Sequence, residues 1–177
     1  MIYVRQLDKV RREKPLLFSY RRCPYAMRAR MALLSCGIDF DIFEISLKDK
    51  PKQMIEISPK GTVPVFVYKD LVLDESIDIM NWAAEQKNNT SIKINPNDLE
   101  TIKSLIKSND GEFKNKLDLY KYTSNKEASL KIRYRKECEV YIRNIDERLE
   151  TQEYLLSNKI GYLDIAIFPF IRQFFNV

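Results

Sequence analysis

An α/β half followed by an all-helical half is the organisation this sequence predicts, and three observations predict it. Short apolar runs of strand character alternate with helical segments in the first half of the chain. A polar break containing a proline, QKNNTSIKINPN (86–97), then interrupts the pattern. Beyond it no strand-like alternation recurs, and apolar residues fall at three- and four-residue steps. The domains expected from this are 15–88 and 96–177.

LLFSY (16–20) is a short apolar run that suits a buried strand. A helix follows from Pro24 to Cys36, rich in Ala, Met, Leu and Arg, with proline just inside its start and Gly37 just past its end. IDFDIFEISL (38–47) alternates apolar and acidic residues with one slip, which predicts a second strand. KDKPKQMIEISPKG (48–61) is polar with two prolines, so a loop with at most a short helix is expected. VPVFVY and LVLD, separated by Lys69 and Asp70, read as a hairpin with a two-residue turn. ESIDIMNWAAEQK (75–87) places Ile79, Trp82 and Ala83 on one helical face. The predicted order is β-α-β-loop-β-β-α.

In the second half, LETIKSLIKS carries apolar residues at 99, 102, 105 and 106. A long helix from Glu127 to about Gln152 carries Leu130, Tyr134, Cys138, Tyr141, Ile145 and Leu149 on its apolar positions. In KIGYLDIAIFPFI, Gly161 stands at a helix N-cap, Asp164 can accept first-turn N–H groups, and Ile160 and Ile165 can form a hydrophobic staple. Pro169 inside this pattern predicts a kink or a missing bond. The chain stops at Val177 in an apolar run, from which a longer ancestral helical half, or a partner covering the end, is expected.

Composition narrows the chemistry. A chain of 177 residues buries about two thirds of its surface and needs no disulfide or metal staple. The net charge of +5 comes from basic residues interspersed with acids, a solvated surface rather than a nucleic-acid footprint. There is no histidine, which excludes Ser-His-Asp and Cys-His nucleophile pairs and His-ligated zinc or haem. The three cysteines, Cys23, Cys36 and Cys138, lack paired metal spacing, so no metal is expected, and their odd number favours free thiols in a reducing compartment. No stretch is apolar enough for a membrane span, and the first fourteen residues are too charged for a signal peptide, so a cytoplasmic protein is expected.

The chemistry concentrates at RRCPYAMRAR (21–30). A thiol is nucleophilic as thiolate, which a helix N-terminus and adjacent cations both favour. Cys23 stands just before the helix that Pro24 opens, with Arg21, Arg22, Arg28 and Arg30 close in sequence. Taken alone, such a cysteine is more often a small residue at a loop. Two further segments bear on it. In SPKGTVPVF, Pro64 opens a strand, and a cis bond before it would turn the backbone groups of Val63 outward to pair with an extended peptide; a proline at a strand's first position is the ordinary reading. In LDESIDIMNWA, a helix N-terminus with the Ser76 hydroxyl suits a carboxylate and Glu75 suits an ammonium; plain N-capping by Asp74 or Ser76 is the ordinary reading. Together the three elements describe a site for a small zwitterionic peptide with a thiol.

LLFSYRRCPYAMRARMALLSCGIDF, SPKGTVPVFVYKD and LDESIDIMNWA, in this order and spacing, resemble the thioredoxin-fold N-terminal domain of glutathione S-transferases, in the cysteine-type branch of omega-like and glutaredoxin-like members. The resemblance covers residues 15–88, and GYLDIAIFPF is similar to a segment of that family's helical domain. It implies a thioredoxin-like domain followed by an all-α domain, with glutathione as co-substrate and Cys23 as the catalytic cysteine. Pro24 and Tyr25 match the neighbours of the glutathione sulfur, and Val63 and Pro64 match the residue that pairs with the cysteinyl backbone and the cis proline. Glu75 and Ser76 match the pair at the γ-glutamyl end, and Lys50 falls where omega-like members place a lysine near the glycyl carboxylate. The resemblance further implies a thiol transferase or dehydroascorbate reductase acting on small electrophilic or disulfide substrates, in a homodimer; a non-catalytic binding or regulatory module is the alternative. The chain departs from dithiol glutaredoxins at Ala26, where their second thiol stands, so the site is expected to be monothiol. Ser19 and Tyr20 lie near the hydroxyl position of tyrosine- and serine-type members, a role second to that of Cys23. No motif for the second substrate stands out in the helical half.

Overall fold

Residues 1–4, 13–86 and 92–177 are described in the computed structural model. They separate into two units, Met1–Lys93 and Ile94–Val177.

The first unit is built around β2 (Leu16–Ser19), whose four residues are all buried. A strand covered on both faces reads as an unbroken apolar run, which is what LLFS is. On one side β2 pairs in parallel with β3 (Asp41–Glu44), and the crossover that parallel pairing requires is α1 (Pro24–Ser35). On the other side it pairs antiparallel with β4 (Val65–Tyr68), which turns through Lys69, at a left-handed φ of 53°, into β5 (Leu71–Leu73). A short α2 (Lys52–Ile57) lies in the polar segment before β4 and buries Met54. The last helix of the unit, α3 (Ser76–Glu85), packs against α1. One core cluster gathers Leu16, Phe18, Ala26, Ile45, Met54, Val63, Val65 and Val67.

Two features depart from expectation. The strand expected over 38–47 pairs only through Asp41–Glu44, because the Ile38 N–H bonds back to Leu33 O (3.0 Å) and is used in closing α1. An unanticipated strand, β1 (Ile2–Tyr3), lies parallel to β3, so that the described strands run in the order β1-β3-β2-β4-β5. Its side chains are exposed, and it is held instead by Ile2 N to Phe40 O (3.2 Å), Val4 N to Ile42 O (2.8 Å) and the terminal ammonium on Asp39 (2.9 Å).

In the second unit, α4 (Leu99–Ser108) passes through a π-helical turn, Asn109–Phe113, into α5 (Lys114–Tyr122), which packs on α6 (Ala128–Leu149). The turn is stapled inside: Phe113 stacks on Tyr141 with centroids 4.3 Å apart, and buried Asn109 accepts the Tyr141 hydroxyl at 3.3 Å. Of the apolar positions expected on α6, Cys138, Tyr141 and Ile145 are buried, whereas Leu130 and Leu149 near its ends are exposed.

The final helix, α7 (Tyr162–Phe175), starts where expected, with Gly161 at its N-cap and Pro169 inside it. Asp164 Oδ2 accepts the Gly161 N–H at 2.8 Å, and Oδ1 accepts the Leu155 N–H at 3.0 Å. The expected staple is not what fixes this start: Ile165 is buried but Ile160 is 47% exposed. The carboxylate takes that role by bonding both the cap and the loop before it. Asp164→Ala is therefore expected to lower stability in urea unfolding by about 2 kcal/mol, the scale of hydrogen bonds to a charged group. A loss below about 0.5 kcal/mol would place the constraint elsewhere.

Candidate functional site

The chain leaves β2 through Tyr20 and makes a tight turn, Cys23 N–H to Tyr20 O at 3.0 Å, before entering α1. Cys23 is the N-cap of α1, with extended φ/ψ of −76° and 122°, and Pro24 is the first helical residue. The antiparallel register, Phe18 opposite Val65, brings the segment preceding β4 to the same end of β2. That segment contains the cis Val63–Pro64 bond, and the Cys23 thiol donates to the Val63 carbonyl at 3.6 Å.

This contact corrects the expectation that both backbone groups of Val63 stand free.

The four arginines around the thiol have separate tasks. Arg21 and Arg22 are exposed. Arg30, half-buried, donates to Ser19 Oγ, to Arg21 O at 3.1 Å and to Tyr20 O at 3.5 Å, and so braces the turn that presents Cys23. Desolvation lowers the Arg30 pKa, against the opposing fields of Glu44, Tyr3 and Cys23. The buried Ser19 hydroxyl is thus taken up as the acceptor of Arg30, and Tyr20 packs against the core cluster. Arg28 is fully buried, donates to Ser76 Oγ at 3.2 Å, and lies 5.6 Å from the centroid of the Tyr25 ring.

At α3, Glu75 is the N-cap in extended conformation, and no side chain caps the helix. Plain N-capping by Asp74 or Ser76 is therefore not observed. Asp74 Oδ2 accepts from Ser58 Oγ at 2.7 Å, exposed Glu75 pairs with Lys60, and Ser76 is buried beside Arg28. Lys50 is exposed and reaches the loop before Val63, its Nζ 3.8 Å from where a Cβ on Gly61 would stand.

The structure thus joins Cys23 to Val63 directly and, through Arg28, Tyr25 to Ser76. Arg28 and Lys60 were not among the expected site residues. In the sequence Arg28 reads as a cation close to Cys23, and the signal for its burial is a charge on the helical face that also carries the buried Ala29, Ala32 and Leu33.

Neither of the other cysteines lies on the first turn of α1. Cys36 is the C-cap of α1, at the opposite end from Cys23 and about 20 Å along the helix at 1.5 Å per residue. Cys138 belongs to the second unit, where burial pushes its pKa up to about 11. Among the described residues no group of three or more His, Cys, Asp or Glu gathers to hold a metal, and no helix is long and apolar enough to cross a membrane.

Residues 17–91 match the family model described as glutathione S-transferase, N-terminal domain. A probable glutathione transferase of Aplysia californica is 36% identical over 64 residues, 33% of this chain and 70% of that protein. Glutathione S-transferase omega-1 of Mus musculus is 43% identical over 49 residues, 28% of this chain but only 20% of the mouse protein. Among solved structures, glutathione transferase Omega 3C from Trametes versicolor superposes with a TM-score of 0.80 at 18% identity, over 93% of this chain and 74% of that one. The first unit is thus a thioredoxin-like mixed-sheet domain and the second an all-helical one, as in that fold.

Cys23 and Cys138 should differ sharply in reactivity. Because burial raises the Cys138 pKa to about 11, that thiol stays neutral at pH 8 and gains thiolate only as the pH approaches 11. Iodoacetamide at pH 8 followed by peptide mass mapping should label Cys23 and leave Cys138 unmodified in the folded protein. Equal labelling of the two would overturn this.

Proposed function

The chain belongs to the glutathione S-transferase family, and on that premise we propose that it is a glutathione-dependent thiol transferase working through the single thiol of Cys23. The observation that carries this reading is the contact of Cys23, at the N-terminus of α1, with the Val63 carbonyl ahead of a cis proline.

On this reading Val63 pairs with the cysteinyl backbone of glutathione, and Pro24, Tyr25 and Pro64 shape the space around its sulfur. Ser76 and Glu75 take the carboxylate and ammonium of the γ-glutamyl end, and Lys50 takes the glycyl carboxylate. Pairing at Val63 frees Cys23 Sγ, which the helix N-terminus then favours as thiolate. Cys23 Sγ attacks the glutathionyl sulfur of a mixed disulfide; a new S–S bond forms, the old one breaks, and the substrate leaves as a thiolate that takes up a proton. A second glutathione thiolate opens the Cys23 disulfide, leaving as glutathione disulfide and restoring the free cysteine. Dehydroascorbate reduction and conjugation to electrophiles draw on the same residues.

The same proposal assigns glutathione binding to residues 15–88 and a helical domain to 96–177, in a cytoplasmic homodimer where a reducing medium keeps the thiols free.

Cys23→Ser should reduce glutathione mixed-disulfide exchange by at least about 100-fold while leaving glutathione affinity within roughly threefold. Glu75→Ala should weaken glutathione binding in titration calorimetry by about tenfold, for loss of one charged hydrogen bond. Unchanged turnover in the serine variant would exclude the thiol mechanism, and glutathione binding without turnover in the wild type would make the protein a binding module.

A further inference from the structure

We propose that Arg28 is a positioning residue: it commits the Ser76 hydroxyl to donate, and so makes the α3 end of the site select a carboxylate. This rests on the glutathione reading above and adds to it a residue that the matched motifs did not assign.

A charged side chain is seldom buried completely, and Arg28 is 0% exposed. It lies on α1, five residues beyond Cys23, and reaches across to the first residue of α3. A guanidinium has donors only, so in the 3.2 Å contact with Ser76 the hydroxyl oxygen must accept. A hydroxyl that accepts from a cation turns its own hydrogen away from that cation. Ser76 is 3% exposed, and among the described residues no acceptor takes this hydrogen. The side chain is therefore a buried donor directed away from Arg28, able to bond an acceptor that reaches it.

The surroundings decide what kind of acceptor fits. A full positive charge stands behind the hydroxyl, and the uncapped N–H groups of α3 add the same polarity. Of the carboxylates close in sequence, Asp74 bonds the Ser58 hydroxyl and Glu75 pairs with Lys60, while Asp78 stands in the first turn of α3. An anion gains from the cation and the hydroxyl together, whereas an ammonium or a neutral amide does not. Tyr25 adds the orientation: the guanidinium lies over its ring at 5.6 Å, so Arg28 is held between the neighbour of the thiol and the serine that reads the ligand.

The test uses two ligands, glutathione and 4-aminobutyryl-cysteinylglycine, which keeps the amino group and the thiol but lacks the α-carboxylate. Titration calorimetry on the wild type should show a preference for glutathione of about tenfold or more. Arg28→Met and Ser76→Ala should each reduce that preference to within about threefold while leaving affinity for the carboxylate-free analogue within about twofold, and Arg28→Lys should restore part of it. A merely structural arginine would weaken both ligands alike. If the wild type binds neither ligand, the glutathione reading itself fails. If it binds both equally, only the role of Arg28 and Ser76 falls. If Ser76→Ala keeps the preference, the relay is wrong even where no Arg28 variant folds.

Discussion

The antiparallel pairing of β2 with β4 is the constraint on which the rest of the first unit depends. Because β2 also pairs in parallel with β3, the chain must cross over through α1, and α1 must start at the C-terminal end of β2. Antiparallel β4 enters the sheet from that same end, with Val65 opposite Phe18. Two residues before Val65 and five after Phe18 therefore meet, and those residues are Val63 and Cys23. Their contact follows from strand register, a property of the whole sheet, and not from flexible loops that happen to approach. Burial of Leu16, Phe18, Val65 and Val67 in one cluster holds the register, since a slip of one residue would turn these side chains to the opposite faces of the sheet.

The cations around the thiol show how a site with no histidine divides its electrostatic work. Four arginines close in sequence suggest a single positive field. In the folded protein Arg30 instead serves the turn, bonding Ser19, Tyr20 and Arg21, and Arg28 turns inward to α3. Next to the sulfur stand the helix N-terminus and the acceptor carbonyl of Val63. These pull the proton in opposite directions: the helix end favours the thiolate and the carbonyl favours the thiol. On the proposed reading, a ligand that occupies the carbonyl removes one of the two influences and leaves the other, so binding and activation of the thiol become a single event.

Much of this was legible in the sequence where local chemistry and tertiary need coincide. LLFS, the Lys69-Asp70 hairpin and the capped segments around Pro24, Gly37 and Gly161 announce themselves because apolar period and end signals agree with the final packing. Strand β1 was illegible because it buries no side chain, and backbone bonds leave no pattern in residue types. The π-helical turn hides for a related reason: Asn109 and Tyr141, whose bond secures it, lie 32 residues apart. At the site, Cys23, Val63-Pro64 and Glu75-Ser76 were readable as ordered motifs. The partnership of Arg28 with Ser76 was not, since a charge near a cysteine reads as a field until a helix 48 residues later in the chain turns it into a hydrogen-bond donor.

Ala26 shows that the single-thiol character belongs to the packing as well as to the motif. A dithiol site of the C-P-Y-C kind would carry its second sulfur at this position. Here the position is fully buried and belongs to the same cluster as Leu16, Phe18 and Val65. A larger side chain there would press on the strands whose register brings Val63 to Cys23, a cost typical of overpacked cores. Cys36 offers no substitute from the far end of α1. A disulfide formed at Cys23 therefore has no described thiol within the first unit close enough to open it. On the thiol-transferase reading, resolution has to come from a second thiol brought in by a ligand, and the same packed register that presents Cys23 is what requires it.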